Sequence, residues 1–223
     1  MAVIIVLVSV FFFLSIEAIG LVIRRRRGEQ PETVPVRPFS DIHVPRGLFL
    51  GDGHSWVRLT ESGELKVGLD ELIAQAVGGA DEVELPAVGT RVRKGEPLAT
   101  VQRFGRKLVV PSPVDGTIVS TNGTVAHAPV TLEADPYGAG WLATVWPVEH
   151  TEALRSLRVG ERAAQWLKRE LQRFTDFVSQ HTSPELVGAT LSDGARPVIG
   201  AALALDDEGW TEFQKEFAGD TSN

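Results

Sequence analysis

The chain has 223 residues, 43% of them hydrophobic and 23% charged, with no cysteine. That composition is globular and excludes wholesale disorder or a fibrous repeat; the missing cysteine excludes disulfides, thiolate metal sites, a cysteine nucleophile and iron–sulfur clusters. The net charge is −7, and setting aside Glu17, Arg24, Arg25, Arg26 and Arg27 leaves 18 basic against 28 acidic residues, a balance that repels nucleic acid.

Residues 2–23 form a nearly unbroken apolar run. At about 1.5 Å per residue it spans roughly 33 Å, enough for one transmembrane helix. No basic stretch precedes it and no small-x-small cleavage site follows it, which argues against a removable signal peptide. Arg24, Arg25, Arg26 and Arg27 close the unit 1–27 as a cytoplasmic stop. Met1 is then expected outside and the bulk of the chain in the cytoplasm, on a bacterial inner membrane. Glu17 is the one ionisable residue of the run. It either snorkels to the interface or pairs with a neighbouring helix, which Ala18 and Gly20 would admit. Phe11, Phe12 and Phe13 face lipid or an apolar neighbour. Residues 28–43 carry Pro31, Pro35 and Pro38 and read as an extended tether.

Residues 44–146 change pattern. Short apolar runs at 56–59, 65–68, 82–86, 98–101, 107–110 and 116–119 alternate with Gly, Pro and Asp turns, which predicts a small β sandwich or barrel. One helix is predicted over 69–76, with Asp70 as its N-cap. After Pro147 the period becomes helical: Leu167, Leu171, Phe174 and Val178 line one face of a helix over roughly 158–180, with Arg162, Lys168, Arg169, Glu170 and Arg173 covering much of the other. Segments 186–191 and 198–205 could pair around Ser192-Asp193-Gly194. Asp206 or Asp207 then caps a last helix, 208–217, that buries Trp210, Phe213 and Phe217. Residues 147–223 thus read as an α-helical, α+β extension.

Four segments stand in order: His54-Ser55-Trp56-Val57 followed by Val67-Gly68-Leu69; Val83-Glu84-Leu85-Pro86 with Gly95-Glu96-Pro97; Ser112-Pro113-Val114-Asp115-Gly116 with Asn122; and Asp135-Pro136-Tyr137-Gly138-Ala139-Gly140-Trp141-Leu142. Together they resemble the H protein of the glycine cleavage system, in the lipoyl/biotinyl-carrier superfamily, over roughly residues 48–146. The resemblance implies a mainly-β barrel-sandwich hybrid of two small sheets with a peripheral helix. Trp56 and Trp141 fit the large bodies of its core. His54 has no carboxylate or serine partner nearby in sequence and reads as structural or surface-exposed.

The resemblance also implies a lysine at a hairpin tip that carries lipoic acid. Counting forward from Gly95-Glu96 or back from Ser112-Pro113 places that lysine at 105. Position 105 is glycine. Gly105 has no amine to acylate, so no cofactor is expected; Lys107, two residues on, is the alternative attachment point. The tip Arg103-Phe104-Gly105-Arg106-Lys107 is a solvated turn, or else a contact patch for an acidic partner or lipid headgroups through Phe104 and Arg106.

No catalytic residue, metal-ligand set or phosphate loop appears, and Asp206-Asp207-Glu208 reads as a helix cap. The expectation is a non-catalytic, membrane-anchored structural subunit of a larger bacterial complex, respiratory or photosynthetic. Its partners would be integral membrane proteins and the lipid bilayer, with no nucleic acid. The alternative is a membrane-tethered lipoyl carrier modified on Lys107.

Overall fold

The computed structural model describes residues 37–182, 191–192 and 196–219. The apolar run 2–23 with Phe11, Phe12, Phe13 and Glu17, the arginines Arg24, Arg25, Arg26 and Arg27, and tether residues 28–36 lie outside the described residues. Among the described residues no helix is long and apolar enough to cross a membrane.

The strands in chain order are β1 (Phe49–Leu50), β2 (Ser55–Leu59), β3 (Leu65–Leu69), β4 (Glu82–Glu84), β5 (Arg91–Val92), β6 (Pro97–Arg103), β7 (Arg106–Pro111), β8 (Gly116–Thr121), β9 (Trp141–Pro147) and β10 (Arg158–Val159). All pair antiparallel. One sheet has seven strands in the order β10-β1-β2-β3-β9-β8-β5, and a second has three, β4-β6-β7. Each of the six predicted apolar runs falls on a strand, although β4 stops at Glu84 and leaves Leu85 and Pro86 outside it. Strands β1 and β10, too short to stand out in sequence, extend the first sheet at one edge.

Side chains alternate along a strand, so β2 sends Val57 and Trp56 to opposite faces. Both are fully buried. Val57 joins a cluster with Leu65, Val67, Leu98, Ile118 and Val145. Trp56 joins a larger one with Leu72, Ile73, Val101, Leu108, Phe174, Phe213 and Phe217. The helices therefore cover a sheet face that would otherwise meet water.

The first of these, α1 (Glu71–Val77), starts where Asp70 Oδ1 accepts the Ile73 amide at 3.1 Å, the N-cap expected. It begins two residues later than predicted because Leu69 is still paired with Ser55. Three short helices were not legible: α2 (Gly123–His127), α3 (Thr131–Ala134) and α4 (His150–Arg155). The long helix α5 (Glu161–His181) buries Leu167, Phe174 and Val178 as predicted, and also Ala163, Trp166 and Phe177. Beyond it, β11 (Leu191–Ser192) pairs with β12 (Arg196–Pro197); residues 186–190 and the turn 193–195 lie outside the described residues. The last helix, α6 (Asp207–Phe213), continues as one π-helical turn, Gln214–Ala218. Asp206 Oδ1 caps it by accepting the Gly209 amide at 2.8 Å, and Trp210, Phe213 and Phe217 are buried.

Three expectations are corrected. Residues 37–43, read as the end of a loose tether, pack on the domain. Pro38 bridges Val198, the Phe39 amide donates to Pro197 O at 2.9 Å, and the Phe39 ring stacks on Phe174 at 5.8 Å. A single buried aromatic outweighs the proline-rich composition around it. Segment 198–205 is not a strand, because residues 201–204 close as a 3₁₀ turn after Gly200. Trp141 is only partly buried and carries Lys66 over its ring at 4.9 Å, so of the two tryptophans expected in the β core only Trp56 is fully buried.

The motif Asp135 to Leu142 is scaffolding. Asp135 Oδ2 accepts the Ala139 amide at 2.7 Å, and its carbonyl accepts Gly140 at 2.8 Å. The loop thus held offers Pro136 O to Trp56 Nε1 at 3.0 Å, while Asn122 Nδ2 reaches the Ala139 and Trp141 carbonyls, each at 2.7 Å.

Candidate functional site: the β6–β7 hairpin tip

Strands β6 and β7 stay in register up to the pair Arg103–Arg106, which leaves Phe104 and Gly105 as a two-residue loop. Both have positive φ, 45° and 79°. Two such residues in succession make a type I′ turn, whose twist matches that of the flanking strands. Gly105 takes this backbone without strain; Phe104 does not. A Cβ at Gly105 would meet nothing within 4 Å, so the apex is open to solvent.

The cations of the tip are engaged within the domain. Arg103 Nη1 donates to Asp81 Oδ1 at 2.6 Å, and the Phe104 amide donates to Asp81 Oδ2 at 2.7 Å. The Phe104 amide first, and Arg103 after it, hold the Asp81 carboxyl below its usual range. Arg106 Nη1 reaches Asp207 Oδ1 and its Nη2 the Leu205 carbonyl, both at 2.8 Å, and its guanidinium lies 5.6 Å from the Trp210 ring centre. Trp210 Nε1 in turn donates to Lys107 O at 3.1 Å. The C-terminal helix therefore grips one side of the hairpin. Lys107 points its amine outward, 61% exposed, 3.9 Å from Glu84 Oε1.

Arg103, Arg106 and Lys107 thus each have a carboxylate partner, in Asp81, Asp207 and Glu84. Sequence reasoning missed Asp81, Asp207, Trp210 and the Leu205 carbonyl. Asp81 was within reach, because antiparallel pairing of Glu82 with Gln102 places residue 81 beside residue 103. The α6 contacts cross about a hundred residues and left no local signal.

His54, lacking a partner in sequence, has two in the fold. Its Nδ1 lies 2.7 Å from Asp70 Oδ2, and its Nε2 lies 3.5 Å from Glu170 Oε2 on α5. The first is a hydrogen bond; the second is an electrostatic contact, since Nε2 has no hydrogen-bond partner. Burial opposes protonation, but the two carboxylates outweigh it and push the imidazole up to about 9. Burial also raises the Glu170 carboxyl, yet His54 and Arg173 bring it below its usual value. The same Asp70 caps α1. This is a charged rivet through the core.

The fold and the hairpin define a small, mainly-β domain of two antiparallel sheets with helices packed against it. A model of the glycine cleavage H-protein family matches residues 49–170, and the chain belongs to that family. The match runs past residue 146, so the first half of α5 is part of the family module. Among relatives, the probable glycine cleavage system H protein of Pyrococcus abyssi is 34% identical over 125 residues, 56% of this chain and 92% of that one. The glycine cleavage system H protein of Methylococcus capsulatus is 40% identical over 105 residues, 47% of this chain and 82% of the relative. The crystal structure of the H protein from Mycobacterium marinum aligns at 31% identity with a TM-score of 0.45, covering 48% of this chain and 88% of that chain.

Proposed function

We propose that this chain is an H-family module without a lipoyl arm, held by residues 2–23 to the bacterial cytoplasmic membrane, where it serves as a non-catalytic structural subunit of a larger membrane complex. The observation that carries the reading is Gly105 at the apex of a type I′ turn, where the family resemblance calls for an acylated lysine. A hydrogen atom in place of an amine removes the carrier chemistry at that point. The grip of α6 on Arg106 and Lys107 O supports it, because it makes the hairpin part of an internal interface. The apolar run, with four arginines after it, supports the anchor.

A second reading keeps the carrier activity and moves it to Lys107, whose amine is exposed and whose neighbour Glu84 supplies an acidic group. Intact-mass measurement on the protein from its native membranes separates the two. The structural reading expects an unmodified chain that stays with the membrane through alkaline extraction. A lipoyl adduct on Lys107 overturns it.

A further inference from the structure

We propose that Phe104 is a docking anchor whose ring seats in an apolar pocket of a partner protein. Three observations at the tip lead there. The ring is 71% exposed, the most exposed aromatic side chain among the described residues. Its backbone sits at φ 45°, in the left-handed region where a bulky residue is disfavoured and where Asn or Gly closes the same turn at lower cost. And the ring is held out: Asp81 fixes its amide at 2.7 Å, while Arg103, itself tied to Asp81, stands 4.2 Å from the ring centre and covers one face. A strained, solvent-facing aromatic that its neighbours hold in one position breaks local rules without repaying stability, which marks a functional position. A ring already ordered before contact loses little further entropy on docking, and a large rigid aromatic entering a desolvated pocket is the usual energetic centre of an interface.

Charge decides the kind of partner. Arg103 pairs with Asp81, Arg106 with Asp207 and Lys107 with Glu84, so the tip carries no surplus positive charge, and the exposed Glu82 adjoins it. An anionic lipid surface recruits unpaired basic residues, and this tip offers none. A second copy of the chain is a poor seat as well. Beside Asp115, one described cleft sets Arg91, Arg93 and Glu96 around Val92 and Val148, and the other sets Lys94, Glu149 and Glu152 around Pro113, Val114, Val148 and Ala153, so a ring entering either meets charged groups as well as apolar ones. What remains is a different protein with an apolar cup. The proposal rests on reading the hairpin as free of a lipoyl arm.

The test places benzoylphenylalanine at position 104 of the full chain in its native membranes, with Val130, also exposed, as the control position. Irradiation is expected to give one discrete protein adduct from 104 and none from 130. Co-purification of that same protein should fall at least about tenfold in Phe104→Ala. In Phe104→Leu it should fall no more than about threefold, and the melting temperature of either variant should be no lower than that of the parent. Adducts to lipid alone, to a second copy of the chain, or to nothing overturn the proposal, as does undiminished co-purification in Phe104→Ala. The mass of Lys107 is read separately. A lipoylated Lys107 beside an intact Phe104 adduct defeats the structural reading alone, and an unmodified Lys107 without the adduct defeats the docking proposal alone.

Discussion

His54 Nδ1 lies 2.7 Å from Asp70 Oδ2, with both side chains wholly shielded from solvent. Its imidazole is pushed from the ordinary 6.5 up to about 9. A raised folded-state value means that the stabilisation is complete below about 6.5 and lost as pH climbs through about 9. Urea unfolding at pH 6.5 and 9.5 should therefore show the protein less stable at the higher pH, by on the order of 3 kcal/mol. His54→Gln should flatten that difference, and an unchanged midpoint in the parent chain would refute the assignment.

Restoring an amine at the apex tests the site from the other direction. Gly105→Lys meets no atom within 4 Å but must adopt φ near 79°. It should fold, at a cost of about 1 kcal/mol by chemical denaturation. With lipoate and a lipoyl ligase it should gain a lipoyl adduct at position 105, as read by intact mass and peptide mapping.

Phe104→Asn puts the preferred residue at the first position of a type I′ turn. It should raise stability by about 0.5–1 kcal/mol in a denaturant titration. A loss of stability would mean that the ring supports the fold.

The link between the hairpin and α6 is open to a small change. Trp210→Phe keeps the buried ring but removes the donor to Lys107 O. It should cost about 1 kcal/mol and speed amide exchange in Arg106 and Lys107.

Gly68 faces the Trp56 indole so closely that a Cβ would come 2.6 Å from two ring carbons. Trp56 is fully buried and bonded through Nε1 to Pro136 O, so it has nowhere to go. Gly68→Ala should destabilise by roughly 1–3 kcal/mol in thermal or chemical melts.

Strand positions were legible because each apolar run is bounded by Gly, Pro or Asp, and α5 was legible because Leu167, Phe174 and Val178 repeat at helical spacing. The Asp70 and Asp206 caps were local as well. The packing of Phe39 was hidden by its prolines: composition reports what a segment resembles, whereas one ring on Phe174 decides where it goes. The apex was readable as glycine by counting residues from two flanks. The Arg106–Asp207 and His54–Glu170 pairs were not readable, since each closes across about a hundred residues and nothing short-range marks an ion pair made by topology; Asp70 comes beside His54 through the pairing of Ser55 with Leu69.

Strand β1 finds its outer neighbour only in β10, where Leu50 faces Arg158. On a growing polypeptide the ribosome must add just over a hundred residues after Leu50 before that neighbour exists, an interval of roughly 5–20 s at ordinary rates of synthesis. Through that wait the edge of β1 stays unmated and open to wrong pairings, so the nascent chain is most exposed to misassembly at the segment it makes early and completes late.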